Sequence, residues 1–265
     1  MIYFSSLLKT LPNIQNNTNN LLSLLSKQRE QFEFIKHTKD IWVRDFMPVR
    51  TSSGRYISFQ YDPRYLKGYE DYRTDYQNEI SEQFSFSVTY SSVNLDGGNV
   101  VFSPSRKRAI ISDRVFLENP YRCREDLLFE LQNVLEAEIV IIDSLKSDLT
   151  GHADGMVRFI DEHRVLGNDI PSKNGLEQRI KRALKKHEIK VIDFPYFFSS
   201  NGSAVGCYLN YLETEQYIFL PVFGVKTDKE AFEKAQNIFW KKVIPVKSDE
   251  IAKEGGVLNC VSWES

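Results

Sequence analysis

The feature that most constrains this chain is an internal repeat. In its second half one order of elements recurs: strand, amphipathic helix, strand, polar loop. Residues 108–113 (RAIISD) read as a strand and 138–143 (EIVIID) as a buried one. Between them, 123–136 carries Leu127, Leu128, Leu131, Val134 and Leu135 at helical spacing. The same order returns at 164–169, 175–188 and 189–194, and again at 216–222, 228–242 and 243–246. An earlier unit reads as strand 56–62, helix 69–84 and strand 86–90, and a partial one as helix 19–32 and strand 33–37. The polar loops fall near Asp45, Gly97, His152, Gly202 and Gly256, at separations of 52, 55, 50 and 54 residues. Repeats of this kind specify architecture more strongly than any single segment does. Five units, each with strands and one helix, predict an α/β ring closed about a pseudo-fivefold axis. No Pro-, Gly- or Ser-rich linker interrupts the run, so one domain over 1–265 is expected. Equivalent loops would gather at one end of the axis.

Charge and cysteine usage narrow the class. Lys+Arg number 34 against 36 Asp+Glu, a formal charge of −2, which supplies no basic footprint for nucleic acid. The three cysteines, Cys123, Cys207 and Cys260, are odd in number and show no metal-ligand spacing. Free thiols of this kind suit a reducing compartment, and a cytoplasmic protein is expected. The first residues, MIYFSSLLKTLPN, resemble neither signal peptide nor anchor, and no stretch approaches the ~18 apolar residues of a membrane span.

The loop contents are chemically selective. The first supplies Trp42, Arg44 and Asp45; the second Asp96, Gly97, Gly98 and Asn99; the third His152 and Asp154. The fourth offers Asn201, Gly202 and Ser203, and the fifth Gly255, Gly256 and Cys260. Brought together, they form an inventory of nucleophile, base and orienting groups. Three carboxylates near a thiol suit a cationic substrate. A planar guanidinium, with five N–H donors, pairs bidentately with carboxylates and would hold its carbon against sulfur. No phosphate-cradling glycine string is present.

The ordered strings WVRD (42–45), DGGN (96–99), GHADGMVRF (151–159), CYLNY (207–211) and GGVLNC (255–260) resemble the motifs of a known family. It is that of the agmatine deiminases and bacterial-type peptidylarginine deiminases, within the guanidino-group-modifying superfamily. The resemblance runs from about residue 33 to 263 and implies the pentein fold, a five-bladed α/β propeller. It implies Cys260 as nucleophile, His152 as general acid/base, and Asp45 and Asp154 as guanidinium ligands. Asp96, at the family's usual Glu position, would orient His152, and Trp42 would line the pocket. The implied activity is hydrolysis of a small guanidino substrate, agmatine or another arginine derivative, to a ureido product and ammonia. Neither metal nor organic cofactor is implied, and neither nucleic acid nor membrane is an expected partner.

Three departures accompany the resemblance. Val257 and Asn259 stand where the family carries Asn and His, Asp96 is a methylene shorter than Glu, and 59–72 lacks the Trp/Gly-rich pocket sequence. Amidine transfer uses the same groups as hydrolysis, and a binding protein that had lost turnover would keep the carboxylates. Both alternatives stay open at this point. Cys123 and Cys207 read as packing residues, the latter in an apolar strand, and His37, His163 and His187 as solvated or satisfied. Arg44 reads as structural, orienting its loop, and the basic run 180–190 as a solvated helix face.

Overall fold

The computed structural model describes residues 1–169, 175–197 and 203–265. Among the described residues the strands form five sheets of three strands each. In one, Ile2–Ser5 is central, parallel to Phe32–Ile35 and antiparallel to Ser262–Glu264. In the next, Tyr56–Gln60 lies between antiparallel Val49–Arg50 and parallel Val88–Asn94. A third centres Arg108–Ser112 between Val100–Phe102 and Glu138–Ile142, and another centres Tyr217–Val222 between Leu212–Glu213 and Lys242–Lys247. The remaining sheet orders Val157–Phe159, Arg164–Asn168 and Lys190–Phe194, the first pair antiparallel.

A parallel pair needs a crossover of a dozen residues or more, and a helix supplies it. Helix Arg124–Leu135 joins two parallel strands and buries Leu127, Leu131 and Leu135 among Ala109, Ile111 and Ile139. Helix Leu176–Lys185 likewise buries Leu176, Ile180 and Leu184 beside Ile110, Val140 and Ile142. The apolar faces are those that the three-to-four spacing predicts. The polar loops near Asp45, Gly97, His152 and Gly256 each leave the outer parallel strand of one sheet and enter the outer antiparallel strand of another.

Internal contacts divide the chain into two compact units. The first contains Met1–Arg44 and Asp193–Ser265, together with 168–169. The second contains Asp45–Gly167 and 175–192.

Several expectations are corrected. Residues 69–84 form no continuous helix but short turns at Glu70–Tyr72, Tyr76–Ile80 and Ser81–Gln83. The Asp75 side chain accepts from the Asn78 amide, a local bond of the kind that competes with helix propagation. The helix expected over 228–242 ends at Ile238, because Phe239 turns to extended backbone and packs its ring against Tyr211. The first helix starts earlier than expected, at Gln15. Cys207 lies in a turn rather than a strand, although it is buried, and Cys123 is exposed rather than packed. The N-terminal strand carries its own core: Phe4 is fully buried, with the Phe32 and Phe34 rings each 6.2 Å away.

Replacing Phe4 with Ala removes a ring that nothing else fills. A loss of about 3–5 kcal/mol in urea unfolding is expected. Tyr121→Ala, at a side chain that is 100% exposed, serves as the comparison and should stay within about 0.5 kcal/mol of the parent.

Candidate active site

The second unit assembles a buried acidic cluster about one imidazole. Asp45, Asp96, His152 and Asp154 are all buried. His152 Nε2 lies 2.7 Å from Asp96 Oδ2, and Nδ1 lies 3.5 Å from Asp45 Oδ1. The first distance is a short charge-assisted hydrogen bond; the second is an ion contact. Asp45 Oδ1 also accepts from the Gly98 amide at 3.2 Å.

Local backbone explains why these side chains converge. Asp96 precedes the tight turn Gly97–Asn99, and His152 precedes the equivalent turn Ala153–Gly155. Asn99 ties the two loops together, its Oδ1 accepting from the Ser112 amide at 2.9 Å and the Ala153 amide at 3.1 Å. Glycine is required at position 98. A Cβ there would sit 2.5 Å from Asp45 Oδ1 and 2.7 Å from His152 Nδ1.

The electrostatics follow from burial and like charge. Burial taken alone would lower the pKa of His152. The Asp45 charge, the hydrogen bond and charge of Asp96, and the Asp154 charge together raise it well above the ordinary imidazole range. Burial raises the Asp45 carboxyl; the His152 charge opposes this, and the like charges of Asp96 and Asp154 reinforce it. A further contact comes from Tyr65, whose hydroxyl donates to Asp96 Oδ2 at 2.9 Å.

The first unit builds a separate arrangement around Cys260, whose side chain is half-buried. Asn210 is its organiser. Its Oδ1 accepts from the amides of Val257, Asn259 and Cys260 at 3.2, 3.1 and 3.2 Å. Three N–H donors can meet only oxygen, which fixes the amide orientation and directs Nδ2 toward Cys260 Sγ, 3.1 Å away. A donor aimed at sulfur favours the thiolate. Arg44 grips the same loop, its amide donating to the Cys260 carbonyl at 3.2 Å and its Nε to the Asn259 carbonyl at 3.2 Å. Its guanidinium pairs with Glu264 at 2.7 Å. Arg44 is therefore structural, as expected of a residue that orients its loop. Trp42 packs over Gly256, where a Cβ would lie 2.5 Å from the indole and 3.0 Å from Cys260 Cβ.

The structure thus brings Asp45, Asp96, His152 and Asp154 together in one unit and Trp42 and Cys260 together in the other. Asn201 and Gly202 lie outside the described residues. Ser203 bonds to the Ala252 carbonyl at 3.2 Å, which fixes its own loop. Sequence reasoning missed Asn210 and Tyr65. Asn210 falls inside the CYLNY string, so a signal was present; Tyr65 had none. At Val257 and Asn259 the loop is held through the backbone, and the Val257 side chain is fully buried. The departures there leave the Asn210 contacts intact.

A family model described as Porphyromonas-type peptidyl-arginine deiminase matches residues 11–265. A Streptococcus mutans protein named "Putative agmatine deiminase" is 24% identical over 238 residues, covering 75% of this chain and 59% of its own length. A Marinomonas protein of the same name is 30% identical over 180 residues, covering 55% of this chain and 49% of its own. The matched regions thus span only about half to three fifths of these curated relatives. A C. jejuni agmatine deiminase solved with substrate bound shares the fold, with a TM-score of 0.78 at 16% identity. That likeness covers 99% of this chain and 92% of that one.

Two outcomes are expected of these arrangements. His152 and Asp45 both bind protons more tightly when folded, so the folded state carries more protons and stability falls as pH rises. The His152 contribution is complete below its unfolded pKa of about 6.5 and is lost as pH climbs through the raised folded value. Urea unfolding should show a loss of roughly 1–2 kcal/mol between about pH 6 and 9, and the double variant Asp45→Asn with His152→Gln should flatten it. In Asn210→Asp the amide-accepting oxygen remains while the donor to sulfur becomes a carboxylate. Iodoacetamide labelling of Cys260 near neutral pH, in a Cys123→Ser background, should slow about tenfold or more; labelling at the parental rate would contradict the thiolate-donor role.

Proposed function

The chain belongs to the Porphyromonas-type peptidyl-arginine deiminase family, and on that premise we propose that it hydrolyses the guanidinium group of agmatine or a related arginine derivative. The products are a ureido compound and ammonia. The observation that carries the proposal is the buried cluster of three carboxylates around one raised-pKa imidazole. Even with His152 protonated, these four groups hold more negative than positive charge, a field that selects a cation.

In this reading the guanidinium lies between Asp45 and Asp154, with Trp42 against its flank. The Cys260 thiolate, held by the Asn210 amide, attacks the guanidinium carbon and forms a tetrahedral adduct. The His152 imidazolium, held by Asp96, gives its proton to the departing nitrogen, and ammonia leaves. A covalent thiouronium remains on sulfur. Neutral His152 then takes a proton from water as its oxygen attacks the same carbon. Collapse of the second tetrahedral species expels the thiolate; one water proton stays on His152, and the other, left on the product oxygen, passes to solvent as the neutral ureido product departs. The raised pKa suits the first role, since the imidazole is already charged at neutral pH.

This chemistry needs the five repeats in one pentein domain over 1–265, its sheets closed as five blades so that the loops meet. The proposal includes that arrangement. It also includes a cytoplasmic setting, where the Cys260 thiol stays reduced.

A panel of agmatine, free arginine, methylated arginines and an arginyl peptide, scored for ammonia and ureido product, tests the reading. At least one should turn over. Cys260→Ser should abolish that turnover, and His152→Gln should reduce it by roughly 10²–10⁴. Silence across the panel, or equal rates for wild type and Cys260→Ser, would remove the enzyme reading. Incorporation of an added amine in place of water would identify amidine transfer instead.

A further inference from the structure

Tyr65 lies in the short turn Arg64–Leu66, within the segment that departs from the family's pocket sequence. Its hydroxyl donates to Asp96 Oδ2 at 2.9 Å, the oxygen that also faces His152 Nε2 at 2.7 Å. Its ring stands edge-on to the imidazole, with centroids 6.2 Å apart and planes at 68°. On its outer side the Tyr61 hydroxyl is 3.5 Å away.

The two oxygens of Asp96 are therefore treated unequally. Oδ2 meets two donors, whereas Oδ1 is buried and has no hydrogen-bond partner among the described residues. A carboxylate held by one donor can turn and offer either oxygen. Held by two donors on one oxygen it cannot turn without breaking both bonds, and a buried acceptor that loses a bond is costly. Burial, with the nearby Asp96 charge next, raises the Tyr65 hydroxyl well above the usual phenol range, so it remains a donor throughout neutral pH.

We propose that Tyr65 is a positioning residue that locks Asp96 with a single oxygen on His152, and so fixes the direction of the imidazole for proton transfer. The role rests on the deiminase reading for its effect on turnover, though not for its structural content. Tyr65 touches neither sulfur nor the guanidinium in that reading; it acts through Asp96. Groups facing His152 are Asp45, Asp96 and Asp154, with the Tyr65 ring at its edge.

Two readouts test it. On whichever substrate turns over, Tyr65→Phe should lower kcat about tenfold, with KM changed by less than about twofold, because one charge-assisted hydrogen bond is lost and no substrate contact is. In an Asp96→Asn background the same substitution should add less than about twofold, since the residue it acts through has changed. Independently of turnover, nitrogen-15 labelled histidine allows the His152 Nε2–H proton to be followed by NMR, assigned by its absence in His152→Gln. That proton should exchange with solvent at least about tenfold faster in Tyr65→Phe.

Tyr65→Leu separates ring from hydroxyl. If Phe behaves as wild type in both readouts while Leu is impaired, packing of the ring is what matters and the proposal fails. Additive losses from Tyr65→Phe and Asp96→Asn would also overturn it. Should no guanidino compound turn over, the deiminase reading falls. The exchange measurement then still decides whether Tyr65 locks Asp96: unchanged exchange refutes the lock, and faster exchange supports it.

Discussion

Burying three carboxylates around one imidazole is the constraint on which this molecule turns. Charges taken out of water are tolerated when they are paired and hydrogen-bonded. Here Asp96 takes donors from His152 and Tyr65, Asp45 takes one from the Gly98 amide, and the imidazole gains a proton-binding strength far above its ordinary value. The arrangement remains rich in negative charge. A cation entering it would relieve that imbalance. The proposed selectivity for a guanidinium rests on that same excess of negative charge.

The scaffold supplies rigidity through modest means. Among the described residues each sheet has three strands, and the loops around Gly97, His152 and Cys260 are pinned by hydrogen bonds. Side-chain amides do much of the pinning. Asn99 uses one oxygen to bind two backbone amides from separate segments, and Asn210 uses one oxygen to bind three. Backbone groups in tight loops need partners other than a sheet ladder, and these two asparagines provide them. That is also why Val257, whose side chain cannot hydrogen-bond, fits the Cys260 loop: its amide, rather than its side chain, is what Asn210 requires.

Much of this was legible because two periods dominate the chain. The alternation and apolar runs of 108–112 and 138–142, and the three-to-four spacing of Leu127, Leu131 and Leu135, each point to one structure. The stretch 69–84 misled because its tyrosines also recur at near-helical spacing. Local bonds from Asp75 and weak helix formers such as Asn78 broke it into turns. Site residues that belong to loops at repeat spacing were recoverable: Asp45, Asp96, His152 and Asp154 do come together. Tyr65 was not, since it acts on a partner 31 residues away through a contact that no local pattern encodes; the CYLNY string marked Asn210 but not its contact with Cys260, 50 residues on.

The strand order of the first sheet has a bearing on how such a chain matures. Ile2–Ser5 is central, yet its antiparallel neighbour is Ser262–Glu264, and Arg44 finds its carboxylate partner 220 residues later, at Glu264. Pairings so distant in sequence carry a large closure cost and form slowly. During synthesis one edge of Ile2–Ser5 has no strand beside it until Ser262–Glu264 emerges, an opening to mispairing with other chains. The loop bearing Cys260 cannot take its final form until that strand docks and Arg44 engages it. A nascent chain that has not yet extended through Ser262–Glu264 therefore holds the Cys260 thiol without its full setting.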